Sequence, residues 1–117
     1  YGVILGSSNG QSGGRQSISV PSSEAQERNI RNAMKNANVS PKDISYIEAH
    51  GTGTPYGDAL EIHAINQIFG HTHTQDSPLY IGSVKTNIGH TCEASGLAGL
   101  VKVLLSMKHQ LIPKHIN

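Results

Sequence analysis

The sequence predicts a layered α/β fold. Three observations predict it. Strand-like and helix-like segments alternate along the 117 residues. The helical segments carry apolar stripes on one side, while the strand-like ones are short and rich in isoleucine, valine and tyrosine. Two of the strand-like runs lead into loops that pair glycine with histidine, at the carboxyl ends where open α/β sheets hold their ligands.

Taken in order, residues 1–5, Tyr-Gly-Val-Ile-Leu, read as a short buried strand. GSSNGQSGGRQSIS, residues 6–19, is rich enough in glycine and serine to be a long loop, and its length suggests a functional surface. Pro21 and Ser23 open a helix in which Gln26 completes a capping box with Ser23. Ile30, Ala33, Met34 and Ala37 form its apolar stripe, and it should end near Asn38. ISYIEAH, residues 44–50, is a strand by its isoleucines and tyrosine. GDALEIHAINQIFG, residues 57–70, is a helix closed by Gly70, and LYIGSVK, residues 79–85, is a further strand. A last helix from about Glu93 to His109 carries Leu97, Leu100, Val101, Leu104 and Leu105, with Gly96 and Gly99 where close backbone approach needs small residues. No internal repeat, low-complexity tract or linker interrupts this order.

Composition narrows the function. Nine basic and eight acidic side chains give a net charge of +1, so there is no electrostatic footprint for nucleic acid or an anionic membrane. The single cysteine, Cys92, excludes an internal disulfide framework and fits a reducing compartment, with the cytoplasm as the default. No window approaches about 18 consecutive apolar residues, and YGVILGSSNG lacks the basic region of a signal peptide. The chain opens inside a strand-like run and stops at IPKHIN, so it reads as a piece of a larger domain.

The chemistry concentrates in two stretches, HGTGTPYGD at residues 50–58 and GSVKTNIGH at residues 82–90. His50 ends one predicted strand and His90 lies shortly after another, so the two imidazoles should face one point. A histidine taken alone is more often a hydrogen-bonded core residue, but two in matched settings point to a site. Gly51 to Thr54 can bring backbone close to a ligand, with hydroxyls from Thr52 and Thr54, while Lys85 and Asn87 add polar groups.

These two stretches resemble the histidine motifs of β-ketoacyl synthases, closest to the ketosynthase domains of modular type I polyketide synthases. The resemblance extends over the whole of residues 1–117: YGVILGSSNGQSGG resembles the strand and loop that begin the second half of the ketosynthase, and VPSSEAQ the helix start that follows. It implies a thiolase-like fold, of which this chain is most of the C-terminal half: layered α/β, with a mixed sheet and a buried helix. The nucleophilic cysteine of that family stands on the other half, and neither its motif nor the family's final glycine-rich loop occurs here.

The resemblance also implies an acyltransferase reaction. An acyl chain passes to the absent cysteine, a malonyl-type extender on acyl carrier protein loses carbon dioxide, and the resulting enolate attacks the thioester in a decarboxylative Claisen condensation of polyketide or fatty acid biosynthesis. His50 and His90, as neutral imidazoles, would donate hydrogen bonds to the extender's thioester oxygen. Thr52 and Thr54 match positions that contact the phosphopantetheine arm carried by the acyl carrier protein. Lys85 matches a lysine supporting the second histidine, and Asn87 is a further supporting group. The domain itself would hold no cofactor and no metal. Its partners would be acyl carrier protein, acyl and malonyl-type thioesters, the remaining ketosynthase half and, as is usual for the family, a second copy in a homodimer. The chain alone should be inactive. An alternative is a non-elongating relative that passes or checks acyl chains, or a scaffold subunit; the retention of both His50 and His90 favours condensation.

Some residues depart from the family pattern. HTCEASG, residues 90–96, places Cys92 where an acidic residue is common and Glu93 one place later, and Ser12 in GQSGGR replaces an acid. Cys92 has two readings, a nucleophile activated at a helix start or a small buried residue. His71 and His73 in GHTHTQD, with Asp76, have spacing for a metal, although an exposed loop accounts for them more simply. Asp58 and Glu61 fit the negative charge favoured at a helix N-terminus. Glu48 shares a strand face with His50 and is a candidate to orient it. His63, His109 and His115 read as surface or core residues.

Overall fold

A computed structural model of the chain describes residues 1–12 and 21–116. Helix α1 spans Ser23–Ala37, and its cap lies one residue before the predicted one: the Ser22 hydroxyl accepts the Ala25 N–H at 3.2 Å and donates to Glu24 at 2.9 Å. Asn38 closes the helix in the left-handed region, φ 54°, a conformation that its short polar side chain tolerates. A 3₁₀ turn at Pro41–Asp43 then redirects the chain, held by the Asp43 carboxylate accepting the Ser40 N–H at 2.8 Å.

Strand β1, Tyr46–Glu48, pairs in parallel with β2, Tyr80–Gly82, in the register Tyr46 to Tyr80, Ile47 to Ile81 and Glu48 to Gly82. Helix α2, Pro55–Phe69, joins them. It starts two residues earlier than predicted because Pro55, which has no N–H to leave unpaired, fits the first helical position. Gly70 follows it in the ordinary right-handed conformation, so its role is not that of a left-handed cap.

Ala64, Ile65, Ile68 and Phe69 of α2 are buried. Ile30 and Met34 of α1 pack against this cluster with Ile44, Ile47 and Leu79. Strand alternation therefore turns Ile47 towards α2 and leaves Tyr46 and Glu48 for the opposite face. On that face runs α4, Ser95–His109, preceded by a 3₁₀ turn at Cys92–Ala94.

The structure corrects several expectations. Residues 1–5 form no strand; Tyr1 and Val3 are 85% and 83% exposed, and no ladder among the described residues adjoins them. Apolar composition without a pairing partner does not make a strand. The loop predicted for residues 6–19 is irregular over 6–12, where Ser8 donates to Asn29 at 2.6 Å; residues 13–19 lie outside the described residues. The sheet among the described residues is the parallel pair alone, with no antiparallel member. The strand expected over 79–85 stops at Gly82, and Lys85 begins a single helical turn, α3, Lys85–Ile88. Helix α4 is not buried on all sides in this chain. Gly99 and Lys102 are covered, whereas Leu97 and Val101 are 68% and 52% exposed, because only one face of α4 meets the sheet. A Cβ on Gly96 would meet nothing within 4 Å among the described residues, whereas one on Gly99 would meet Glu48 Cγ at 3.1 Å, so of the two it is Gly99 where a close approach requires glycine.

Candidate active site

Parallel pairing brings the two histidine loops to the same end of the sheet. β1 leads through Ala49 into His50, and the Ala49 N–H still bonds Gly82 O at 2.7 Å. β2 leads through Ser83 into α3 and then His90. Gly51 sits where the loops touch: a Cβ on it would lie 2.8 Å from the Ser83 Cβ, and its φ of +46° already disfavours any side chain. The closeness of the loops therefore depends on a residue with no side chain. The His50 and His90 rings stand edge to face, with centroids 5.6 Å apart and planes at 88°.

Two further contacts fix these residues. The Glu61 carboxylate, one helical face into α2, accepts the backbone N–H of His50 at 2.7 Å and of Gly51 at 3.0 Å. Glu61 is therefore a clamp on the histidine loop, a more specific task than the helix-end charge expected of it. His90 Nδ1 accepts the Cys92 backbone N–H at 3.1 Å. A nitrogen that accepts carries no proton, so in the neutral ring the proton lies on Nε2 and that atom is a donor. Cys92 is exposed, with φ 49°, and is not the buried small residue expected; its backbone N–H serves the His90 ring, and its thiol donates to the His90 carbonyl at 4.0 Å.

The remaining predicted site residues take these places. The Thr52 and Thr54 hydroxyls are 3.4 Å apart, and Thr54 is the residue that precedes α2. Lys85 borders, with His50, a cleft of about 350 Å³ that also runs along Gly96 and Gly99 of α4. The Lys85 N–H donates to Ser83 Oγ at 3.3 Å, and among the described residues its ammonium makes no ion pair. Asn87 is exposed and donates to the Lys114 carbonyl at 3.4 Å.

Glu48 does not touch the His50 ring. Its carboxylate accepts the Val84 N–H, the Tyr46 hydroxyl at 2.5 Å and the Lys102 ammonium at 2.8 Å. Burial raises the Tyr46 pKa, and the bond to Glu48 raises it further. For Lys102, burial pulls the pKa down, but the bonds to Glu48 and Tyr46 outweigh it and the net shift is upward. Tyr46 and Lys102 had no functional signal in the sequence.

His73 is half-buried: its Nε2 lies 2.7 Å from Ile44 O and its ring 6.0 Å from Phe69, so it fastens the α2–β2 loop to the chain before β1. The exposed-loop expectation fails there. Among the described residues no three metal-ligating side chains converge, and no helix is long and apolar enough to cross a membrane.

The sequence profile described as "Beta-ketoacyl synthase, C-terminal domain" matches residues 1–117. The chain belongs to this family. It is 50% identical over 115 residues to the highly reducing polyketide synthase poxF of Penicillium oxalicum, covering 98% of this chain and 5% of that protein. It is 52% identical over 119 residues to probable polyketide synthase 17 of Dictyostelium discoideum, again covering 5% of the relative. The chain thus spans a small part of the length of these relatives. Among solved structures, the ketosynthase from module 6 of the bacillaene synthase of Bacillus subtilis 168 superposes with a TM-score of 0.85 at 41% identity, covering 97% of this chain and 21% of that one. The PfaC keto synthase–chain length factor gives 0.89 at 33% identity, covering 97% and 12%. The architecture is the C-terminal half of the thiolase-like ketosynthase fold.

Proposed function

We propose that this chain is the histidine-bearing part of a β-ketoacyl synthase that catalyses decarboxylative Claisen condensation in polyketide biosynthesis. The observation that carries the reading is the pairing of His50 and His90 at 5.6 Å, with the His90 tautomer set by the Cys92 N–H. His90 Nε2–H then donates to the thioester oxygen of a malonyl-type extender, and His50 donates to the same oxygen. As carbon dioxide leaves, negative charge moves onto that oxygen, where two preorganised donors stabilise it more than they stabilise the ground state. The enolate carbon attacks an acyl thioester held on a cysteine outside residues 1–117, and the cysteine thiolate leaves.

Thr52 and Thr54 contact the phosphopantetheine arm of the incoming acyl carrier protein, and Lys85 with Asn87 supports the second histidine loop. The enzyme is an acyltransferase that acts in the cytoplasm as a homodimer and holds no cofactor of its own. A metal between the rings would occupy the nitrogens that the reaction uses, so chelators leave condensation unchanged.

The test uses the complete ketosynthase that carries this chain. His50→Ala or His90→Ala should lower carbon dioxide release from malonyl carrier protein by roughly 10²-fold or more. Acylation of the cysteine, followed by mass spectrometry, should continue at an appreciable rate. Loss of both signals to the same degree would assign the histidines to folding or acylation instead.

A further inference from the structure

We propose that Tyr46, Glu48 and Lys102 form a positioning network, centred on Glu48, that sets where the His90 loop lies relative to His50. The proposal rests on the condensation reading above. Its basis is the set of partners that one carboxylate gathers. Glu48 belongs to β1, two residues before His50, and one of its oxygens accepts the N–H of Val84, the residue from which the turn leading to His90 departs. The other oxygen accepts from Tyr46 and from Lys102 of α4, while Lys102 also donates to the Tyr46 hydroxyl at 2.9 Å. Strand β1, helix α4 and the turn that departs from Val84 are thereby joined beside the two histidine loops.

The surroundings are shaped to admit this network. A Cβ on Gly82 would lie 2.7 Å from the Tyr46 hydroxyl oxygen and 3.2 Å from the Lys102 ammonium, and a Cβ on Gly99 would lie 3.1 Å from Glu48 Cγ. Two neighbouring elements thus give up side-chain volume where the polar groups converge. Lys102 is 8% exposed and Glu48 13%. Stability alone is a weak reason for such a pair, since a buried ion pair seldom outperforms apolar residues of the same volume. What apolar residues would not supply is the directed acceptor that holds the Val84 N–H in register with β1. A displacement of about 1 Å at a reacting group is enough to cost roughly a hundredfold in rate.

The experiment measures carbon dioxide release and cysteine acylation in the complete ketosynthase. Glu48→Leu removes every acceptor and should lower the turnover number for decarboxylation roughly 10- to 100-fold, with acylation and the KM for malonyl carrier protein within about twofold of the parent. Lys102→Met leaves the carboxylate without its cation and should lower the same turnover number. Combining it with Glu48→Gln, which restores neutrality and keeps an acceptor for Val84, should recover at least part of that loss. If Glu48→Leu does not fold, the Lys102→Met variant and its Glu48→Gln rescue decide. Decarboxylation and acylation falling together, or no rescue in the double variant, would overturn the proposal by making the network merely structural. The two readings fail separately: if His50→Ala abolishes decarboxylation while folded network variants retain it, only the positioning role is wrong. If His50→Ala leaves decarboxylation intact, the condensation reading itself is wrong.

Discussion

Glu61→Gln should slow decarboxylation without slowing cysteine acylation. Glu61 accepts two backbone N–H groups, of His50 at 2.7 Å and of Gly51 at 3.0 Å, so its carboxylate holds the loop on which the His50 ring rides. Glutamine keeps one acceptor oxygen and turns an NH₂ group towards the other N–H, so one of the two bonds is lost. A hydrogen bond to a charged acceptor is worth roughly 1.5–3 kcal/mol, and about 1.4 kcal/mol corresponds to a factor of ten in population. Water reaches the exposed His50 and returns part of that loss, which places the expected decrease near the lower limit, about tenfold. Carbon dioxide release from malonyl carrier protein and mass spectrometry of the acyl-enzyme, measured on the complete ketosynthase, give the two rates. Unchanged carbon dioxide release would refute the clamp. So would an equal fall in acylation, because among the described residues the Glu61 carboxylate bonds the histidine loop.

Two more predictions concern stability. Phe69 is 3% exposed at the centre of the core and faces His73, so Phe69→Ala should destabilise the domain by about 3–5 kcal/mol in a denaturant titration; a change below about 1 kcal/mol would mean that the α2 cluster is not the core. Tyr46 and Lys102 both bind their protons more tightly folded than unfolded, since both pKa values are raised. Their contribution is therefore complete below the unfolded-state values, near pH 10, and is lost as pH rises through the higher folded-state values. Denaturation midpoints measured from pH 8 upward should fall on the alkaline side, and Tyr46→Phe with Lys102→Met should flatten that fall; an unaltered alkaline slope would contradict the assignment.

Legibility in the sequence followed the range of the interactions. The three long helices are readable because apolar stripes and end signals are local: Asn38 closes α1 where expected, whereas the starts of α1 and α2 lie one and two residues earlier than expected, after Ser22 and at Pro55. The histidine stretches were readable because parallel strands deliver their loops to one end of a sheet, and the rings do meet. Residues 1–5 misled because a strand is a pairing, and residue type does not reveal whether a partner is present. Lys85 reads as part of a strand because the carboxylate that bonds the turn after β2 belongs to Glu48, 36 residues before Val84. Lys102 carries no local signal, since its hydroxyl partner, Tyr46, lies 56 residues away. At Glu61 the sequence shows only a helix-end charge, because its acceptor role needs the loop folded back across 11 residues. His73 was likewise hidden, its partner Ile44 being 29 residues earlier.

The most direct test of the central claim, that His50 and His90 serve one oxygen, is a double-mutant cycle on carbon dioxide release in the complete ketosynthase. Each single alanine variant should lose roughly 10²-fold or more, and the double variant should lose clearly less than the product of the two, because removing one donor already disrupts the charge-stabilising site that the other completes. A double variant whose loss equals the product of the singles would mean that the two rings act independently, and would contradict the claim.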